Sequence, residues 1–298
     1  FLFQRQTPKM RLDTDYLTYI TKEELRVLVS IELGMRNHEY VPVNLVQKIS
    51  KLKRANAFKI IKMLLKNKLV NKVSHKYEGY RLTYLGYDYL ALYTFKQRGK
   101  ISKIAAKIGV GKESDIYKCL DNEGNVIVLK LARLGRISFR TVKKNRDYLQ
   151  HRSNYNWLYL SRLASIKEFA FMEVLHKNGF PTPTPIDSNR HAILMSLIDG
   201  DTLINVKEID RPGQVVDQLF NLIVKFAENS LIHSDFNEFN IMISSTGQIT
   251  VIDFPQMVST NHINAEYYFD RDVECIRKYF EKRYKLVMEE FPVLSKIK

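Results

Sequence analysis

Two neighbouring stretches of this sequence, HSDFNEFN (233–240) and ITVIDFP (249–255), carry oxygen-bearing side chains that a purely structural loop does not need. The first places Asp235 and Asn240 five residues apart beside a predicted hairpin, and the second ends a strand-like apolar run with Asp253. Carboxylate and amide oxygens are the hard ligands that Mg²⁺ takes, together with phosphate oxygens. The sequence therefore predicts a site for metal and phosphate at Asp235, Asn240 and Asp253.

The composition is that of a globular protein with room for more than one domain. The chain has 298 residues, of which 45% are hydrophobic and 11% aromatic, so it can build a packed core. Cys119 and Cys275 are too far apart in sequence to suggest a disulfide framework or a zinc site, which favours a reducing compartment. No apolar run approaches the roughly 18–20 residues that span a bilayer, so we expect no membrane association.

Charge is distributed unevenly along the chain. The net charge of +15 divides into +11 for residues 1–98, +9 for residues 99–195 and −5 for residues 196–298. A basic first part that binds a polyanion explains this distribution, and the acidic last part is suited to a metal ion. General solubility is the alternative explanation.

Residues 21–98 predict a winged helix-turn-helix domain. Thr21 and Glu24 have the spacing of a capping box before an apolar helical pattern, and Gly34 is a stop signal. The predicted elements are three helices, the second opening at Pro42 and the third over 54–68, then two strands around a Glu78–Gly79 turn and a closing helix over 84–95.

The third predicted helix has one basic side. Lys59, Lys62 and Lys66 recur three and four residues apart, so they share that side. The opposite side is expected to hold Phe58, Ile61, Leu64 and Leu65. We expect the lysines to contact nucleic acid, as the third helix or the wing of such domains does. The alternative is a domain that docks a protein or only its own neighbour domain, with solvated lysines.

Residues 101–133 predict three strands joined by two turns. The first turn, GVGKESD (109–115), is weak evidence alone, because it lacks the pattern of a Walker motif. Lys130 strengthens it, since a glycine-rich hairpin over phosphates with a lysine on the third strand is how protein kinases hold a nucleotide.

The next part of the chain predicts a loop, a helix and a connector. Segment 132–162 is basic with interleaved aromatic residues, and its first half is expected to be a mobile loop. A helix from Ser161 includes Glu168, which is placed to pair with Lys130; a solvated surface glutamate is the alternative. HAILMSLIDG (191–200) predicts a strand that leads into a connector between two lobes, whose backbone is available to a nucleobase.

These motifs together resemble a known family. HSDFNEFN has the H-x-D-x-x-x-x-N spacing of a kinase catalytic loop, and IDFP stands where a kinase has its DFG. With GVGKESDIY, GYRLTYLGYDYLAL, NRDY, NWLYLSRLASIKEF and VIDFPQMVST, they look like the RIO family of atypical protein kinases, and the fused winged helix marks its second subfamily, Rio-two. The resemblance extends over residues 20–290, with Ser234 standing where many relatives are expected to have glycine.

The resemblance implies an α+β protein in which an N-terminal winged helix-turn-helix domain precedes a truncated bilobal protein-kinase-like (RIO) domain. The expected limits are 1–98 and 99–298, with the small lobe over about 99–195 and the large lobe over about 199–298. The 45 residues after Asp253 contain no A-P-E motif, so we expect no large peptide-docking subdomain.

The resemblance also gives the site residues their roles. Asp235 is expected to activate a nucleophile, Lys130 to steady the phosphates, and Asn240 and Asp253 to bind Mg²⁺. The residues expected to bind the nucleotide are Gly109, Gly111, Lys112, Ser114, Lys130, Glu168, Met195, Leu197, Ile198 and Ile243. His233 is expected to form structural hydrogen bonds beneath the loop rather than to act as an acid or base. Asp270 and Asp272 are expected to lie on a helix surface or to support the loop.

The function implied by the resemblance is that of an ATP- and Mg²⁺-dependent serine/threonine kinase or ATPase in maturation of the small (40S) ribosomal subunit. We expect a phospho-aspartate at Asp253, and a monomer in the cytoplasm that shuttles through the nucleus. The expected partner is the pre-40S particle, with its rRNA and ribosomal proteins. Two alternatives stay open: a protein kinase with an external protein substrate, and a nucleotide-gated RNA-binding module.

Overall fold

The computed structural model describes residues 12, 15–73, 78–136 and 156–297. The chain forms two compact units. The first holds the described residues up to 136 together with 156–165 and 186–194, and the second holds 166–185 and 195–297. None of the helices in these described ranges has the length and apolar character that a membrane span requires.

The first unit begins with the predicted winged helix. Its helices are α1 (Tyr16–Tyr19), α2 (Lys22–Gly34), α3 (Val43–Ser50), α4 (Arg54–Lys66) and α5 (Tyr84–Gln97). Its strands are β1 (Val41–Pro42), β2 (Val70–Val73) and β3 (Gly79–Leu82), paired antiparallel in the order β1-β3-β2. The predicted order of three helices, a hairpin and a closing helix is confirmed.

Local sequence signals explain two of these elements. The Thr21 side chain accepts a hydrogen bond from the Glu24 amide over 3.1 Å, and the Glu24 carboxylate accepts one from the Thr21 amide over 2.7 Å. This capping box satisfies two amides that the start of α2 leaves without helical partners. Helix α5 lies so close to the start of β2 that a Cβ on Gly86 would come 2.1 Å from the Leu69 carbonyl oxygen.

Two local predictions for this domain are wrong. Phe58 is 37% exposed, and the Lys62 ammonium lies 4.7 Å from the centre of its ring. It therefore belongs to the basic side of α4, and Ala57 takes a place in the core instead. Gly79 is a strand residue paired with Val73, so it does not form the predicted turn, and the connecting residues 74–77 lie outside the described residues.

A five-stranded sheet follows the winged helix. Its strands are β4 (Lys103–Val110), β5 (Ser114–Leu120), β6 (Val126–Ala132), β7 (Pro185–Asn189) and β8 (Ala192–Ser196), in the order β4-β5-β6-β8-β7. Buried residues of α5, such as Leu90, and of β6, such as Leu129, belong to one hydrophobic cluster. The first unit therefore extends across residue 98, because helices and sheet share a core; the predicted domain limits stay predictions.

Helix α6 (Trp157–Lys177) begins earlier than the predicted start at Ser161. The predicted mobile loop corresponds to residues 137–155, which lie outside the described residues. The second unit also contains α7 (Pro212–Glu228) and α8 (Ala265–Tyr284). Its short strands are β9 (Asp201–Thr202), β10 (Leu231–Ile232), β11 (Ile241–Ile243), β12 (Ile249–Val251) and β13 (Val258–Ser259), paired as β12-β11-β9 and β10-β13.

Candidate active site

The hairpin of β11 and β12, in the second unit, carries two predicted metal ligands at one of its ends. Ile241 pairs with Val251, and the Ile252 amide donates to the Asn240 carbonyl over 2.9 Å. Asn240 directly precedes β11, and Asp253 stands two residues beyond the end of β12. Antiparallel pairing therefore places Asn240 and Asp253 at the same end of the hairpin, as the sequence predicts.

Two asparagine amides hold the Asp235 carboxylate. Asn237 donates to Oδ1 over 3.0 Å, and Asn240 donates to Oδ2 over 3.0 Å. Asn240 also donates to the Asp235 backbone carbonyl over 3.0 Å, so both of its amide hydrogens are used on that residue. The side-chain oxygen of Asn240, Oδ1, is then the atom of this amide that can bind a cation. Sequence reasoning missed Asn237, although its place within HSDFNEFN was a signal.

A buried carboxylate on α8 supports the backbone of this loop. Asp272 is 2% exposed and accepts hydrogen bonds from the amides of Ser234, over 2.7 Å, and Phe236, over 2.9 Å. Burial raises the pKa of Asp272 to about 7, although the two amides act in the opposite direction. Asp272 is thus a support for the loop, one of the two roles predicted for it.

Two residues of the site adopt a left-handed backbone. Ser234 has φ 60° and Asp253 has φ 70°, a conformation that only a few per cent of non-glycine residues adopt. Glycine reaches this region without steric cost, which gives a physical reason to expect glycine at position 234 in relatives. The place of Asp253 after the apolar run ITVI predicts a deep position, and that prediction is wrong, because Asp253 is only partly buried.

His233 is packed beneath the loop. Its ring is 2% exposed, and its centre lies 5.6 Å from that of Phe236 and 5.7 Å from that of Phe254. Burial lowers the pKa of His233 to about 4, so the ring is neutral at physiological pH. The position beneath the loop is the predicted one, whereas the predicted structural hydrogen bonds of the ring stay a prediction.

In the first unit, the glycine turn and Lys130 belong to one sheet. The Gly111 amide donates to the Ser114 carbonyl over 2.7 Å, which closes the turn between β4 and β5 around the exposed Lys112. Ile116 pairs with Gly109 on one side and with Lys130 on the other. Gly109 and Lys130 therefore lie in one row across three strands, and Lys130 is on the third strand as predicted.

The remaining predicted nucleotide contacts belong to the second unit. Glu168 on α6 is 4% exposed, which excludes the alternative of a solvated surface glutamate. Its pairing with Lys130 stays a prediction. Met195 is buried near the end of β8, Leu197 and Ile198 follow it in the connector, and Ile243 is buried on β11.

The predicted metal ligands at this site are an amide oxygen and a carboxylate. Across the described ranges, no three side chains of His, Cys, Asp or Glu come together as a ready-made metal site. Mg²⁺ commonly takes only one or two protein oxygens and completes its shell with water and substrate phosphates. One amide oxygen of Asn240 and one carboxylate of Asp253 fit that chemistry.

Comparison with known proteins places these elements in a family. A model of the RIO domain matches residues 115–292, and a model of the Rio2 N-terminal domain matches residues 17–98. The chain belongs to the RIO family, in its Rio2 subfamily. Both the predicted family and the fold class, a winged helix followed by a RIO domain, are confirmed.

RIO-family relatives match over nearly the whole chain. A serine/threonine-protein kinase rio2 of Dictyostelium discoideum is 55% identical over 95% of this chain and 54% of its own length. One of Schizosaccharomyces pombe is 51% identical over 93% of this chain and 80% of its own length. The chain thus spans about half of the Dictyostelium relative.

A solved RIO structure has the same fold. The Rio2 kinase of Chaetomium thermophilum, described as an ADP/Mg²⁺-phosphoaspartate complex, is 46% identical, with a TM-score of 0.85 over 96% of this chain and 88% of that one.

Proposed function

We propose that this RIO-family chain is an ATP- and Mg²⁺-dependent phosphoryl-transfer enzyme of the serine/threonine kinase and ATPase class. The observation that carries the proposal is the group of Asp235, Asn240 and Asp253 on one loop and hairpin, with the Asp235 carboxylate held by amides over 3.0 Å. Phosphoryl transfer needs alignment and charge neutralisation more than covalent work by the protein. Relatives named as serine/threonine-protein kinases support the same class of reaction.

Separate groups of residues bind the phosphates, the metal and the nucleobase. Lys130 steadies the phosphates, and the backbone amides of the turn at Gly111 and Ser114 cover them. Asn240 and Asp253 would hold Mg²⁺, which would neutralise phosphate charge there. The connector after β8 and Ile243 accommodate the nucleobase.

The acceptor of the phosphoryl group is the finer part of the proposal. An Asp253 carboxylate oxygen attacks the γ-phosphorus, the bond from that phosphorus to the bridging oxygen breaks, and ADP leaves. Water then attacks the phosphorus of the acyl phosphate, with its proton passing to Asp235, and releases phosphate and the free Asp253 carboxylate. The Chaetomium relative, described as a phosphoaspartate complex, supports this route. The competing assignment is that Asp253 only binds Mg²⁺ and is never phosphorylated.

The proposed setting is maturation of the small ribosomal subunit. It rests on the RIO resemblance and on the basic side of α4, where Lys59, Lys62 and Lys66 are all exposed. A pre-40S particle would supply rRNA phosphates to these lysines. A monomer in the cytoplasm that shuttles through the nucleus is part of the same proposal.

A second candidate is a protein kinase with an external substrate, favoured by the names of the relatives. In that reaction a serine or threonine hydroxyl replaces Asp253 as the acceptor, and Asp235 orients it.

One experiment separates these functions. The purified chain is supplied with γ-labelled ATP and Mg²⁺, alone, with small-subunit precursor particles, and with a generic protein substrate. Release of labelled phosphate that rises with the particles supports the proposal. Stable transfer to the protein substrate supports the second candidate, and the absence of turnover in all three mixtures contradicts both.

A further inference from the structure

The first unit contains a buried cluster of charged side chains to which the proposed chemistry gives no role. Its members are 0–4% exposed: Asp88, Asp115, Arg133 and His191. Charged groups are costly to bury unless they are paired and hydrogen-bonded, so each contact in such a cluster matters to the geometry around it.

Arg133 is the centre of the cluster. Its two terminal nitrogens donate to the two carboxylate oxygens of Asp88 over 2.6 and 2.8 Å, and its Nε donates to Asp115 over 2.8 Å. Burial has the largest single effect and opposes the charge on Asp88, yet Arg133 and His191 together outweigh it and keep the pKa of Asp88 below its usual range. One planar guanidinium thus holds two carboxylates in fixed directions, which a flexible lysine could not do.

One side of this cluster holds the glycine turn. The Arg133 backbone amide donates to the Glu113 carbonyl over 2.5 Å, so the same residue holds the turn through both its backbone and its side chain. The second oxygen of Asp115 is bound by Lys107 of β4 over 2.8 Å. Arg133 therefore binds both neighbours of Ser114, Glu113 through its backbone and Asp115 through its side chain. Arg133 directly follows β6, the strand that carries Lys130.

The other side of the cluster belongs to the winged helix. Asp88 lies on α5, and His191 Nε2 is 2.7 Å from its Oδ1. Because an ionised carboxylate can only accept, the tautomer that suits this contact carries its hydrogen on Nε2. The neighbouring Tyr87 stacks on the His191 ring with 4.3 Å between centres. Helix α5 thus supplies the carboxylate that fixes the orientation of Arg133.

We propose that Asp88 and Arg133 are positioning residues for nucleotide binding: α5 holds Arg133, and Arg133 holds the glycine turn in the shape that covers the phosphates. The N-terminal domain thereby sets nucleotide affinity through a chain of hydrogen bonds. The proposal rests on the proposed function, in which that turn binds ATP.

The test compares two variants of the cluster with a matched control. D88N keeps the shape of the side chain and removes its charge, and R133K keeps the charge but loses the fork and the Nε donor. The control is E32Q. Glu32 on α2 also forms an ion pair between the winged helix and the five-stranded sheet, with Arg190 over 2.9 Å. Arg190 lies in the turn between β7 and β8 rather than beside the glycine turn. For each protein we would measure the Kd for Mg·ATP, the single-turnover rate at saturating ATP, and the Tm without nucleotide.

We expect D88N and R133K to bind ATP roughly tenfold more weakly while the rate at saturating ATP stays within roughly twofold of wild type. E32Q should lower the Tm and leave the Kd unchanged. Wild-type Kd values in folded D88N and R133K would overturn the proposal, as would an E32Q variant that weakens binding equally. If D88N does not fold, R133K decides the outcome. A wild-type chain that binds no ATP would instead overturn the proposed function, and this proposal with it.

Discussion

The side-chain amide of Asn240 uses both of its hydrogens on Asp235, one on the carboxylate and one on the backbone carbonyl, each over 3.0 Å. One residue therefore orients the proposed base and presents its remaining oxygen to the proposed Mg²⁺. Asn237 provides a natural comparison, because it donates to the same carboxylate over 3.0 Å but is not a predicted ligand.

This difference predicts distinct effects for two alanine variants. N237A should lower turnover by about 10–100-fold because the Asp235 carboxylate loses the hydrogen bond from Asn237 to its Oδ1, with the Mg²⁺ dependence unchanged. N240A should lower turnover further and shift half-saturation to higher Mg²⁺. Titrating Mg²⁺ at fixed ATP checks both, and an identical Mg²⁺ dependence in the two variants would contradict the ligand role of Asn240.

Lys130 should carry most of the response to nucleotide. Mg·ATP binds only the folded state and should therefore raise the Tm of the wild type by mass action. K130A should lose most of that rise, while K118A, on the neighbouring strand β5, should keep it. The measurement is a thermal melt with and without nucleotide, and an equal rise in K130A would show that the wrong lysine has been assigned.

Asp253 should carry a hydroxylamine-sensitive label during turnover. Hydroxylamine cleaves acyl phosphates but leaves phosphoserine intact, so protein quenched in acid with γ-labelled ATP can be sorted by this treatment. D235A should accumulate label, because the water that clears the intermediate is no longer activated. Label that resists hydroxylamine, or that persists in D253A, would point to serine autophosphorylation.

Asp272 should make stability depend on pH in a defined direction. Its folded-state pKa of about 7 lies above the ordinary value of 3.8, so the folded protein binds the extra proton between these values. Its contribution to the free energy of unfolding is full below about pH 4 and is lost as the pH rises to about 7. Relative to D272N, wild-type stability should fall with pH by up to about 1.4 kcal/mol per unit. Parallel urea titrations of the two proteins from pH 4 to 8 test this, and a constant difference would contradict it.

The lysines of α4 should govern binding to structured RNA. Each phosphate neutralised by a lysine releases counterions, so affinity should fall steeply with salt, and K59E with K62E should weaken binding and flatten that slope. K100E with K103E makes the same change of charge at exposed sites near the start of β4 and should have a smaller effect. If the α4 variant binds as tightly as wild type at every salt concentration, segment 133–162 becomes the next candidate.

Local signals were sufficient to predict most of the elements. The Thr21–Glu24 spacing predicted the start of α2, and a short apolar run after a turn placed Lys130 on its strand, because both signals act within a few residues. The helical pattern misplaced Phe58 because a cation over its ring stabilises a partly exposed position that periodicity treats as core. The backbone of Asp253 was not predictable either, since a φ of 70° at a non-glycine residue is imposed by tertiary contacts.

The arginine cluster shows where sequence reasoning stops. Asp88 and Arg133 are 45 residues apart, and Asp88 and His191 are 103 apart, with no local motif that links them. In the sequence, Asp88 is one polar residue within an aromatic helix, and Arg133 is one of many basic residues. Only the packing of α5 against the sheet gives them a shared role.

These separations along the chain also have a consequence for synthesis on the ribosome. The carboxylate of Asp88 leaves the exit tunnel 103 residues before His191, an interval of about 5–20 s at ordinary elongation rates. Until then the five-stranded sheet is incomplete, so Tyr87 and Leu90 of α5 cannot be fully buried and the Asp88 carboxylate stays hydrated. The nascent N-terminal domain should therefore remain sensitive to protease until β8, the strand that follows His191, has emerged. The domain then reaches its stable packing well after the synthesis of its own residues is complete.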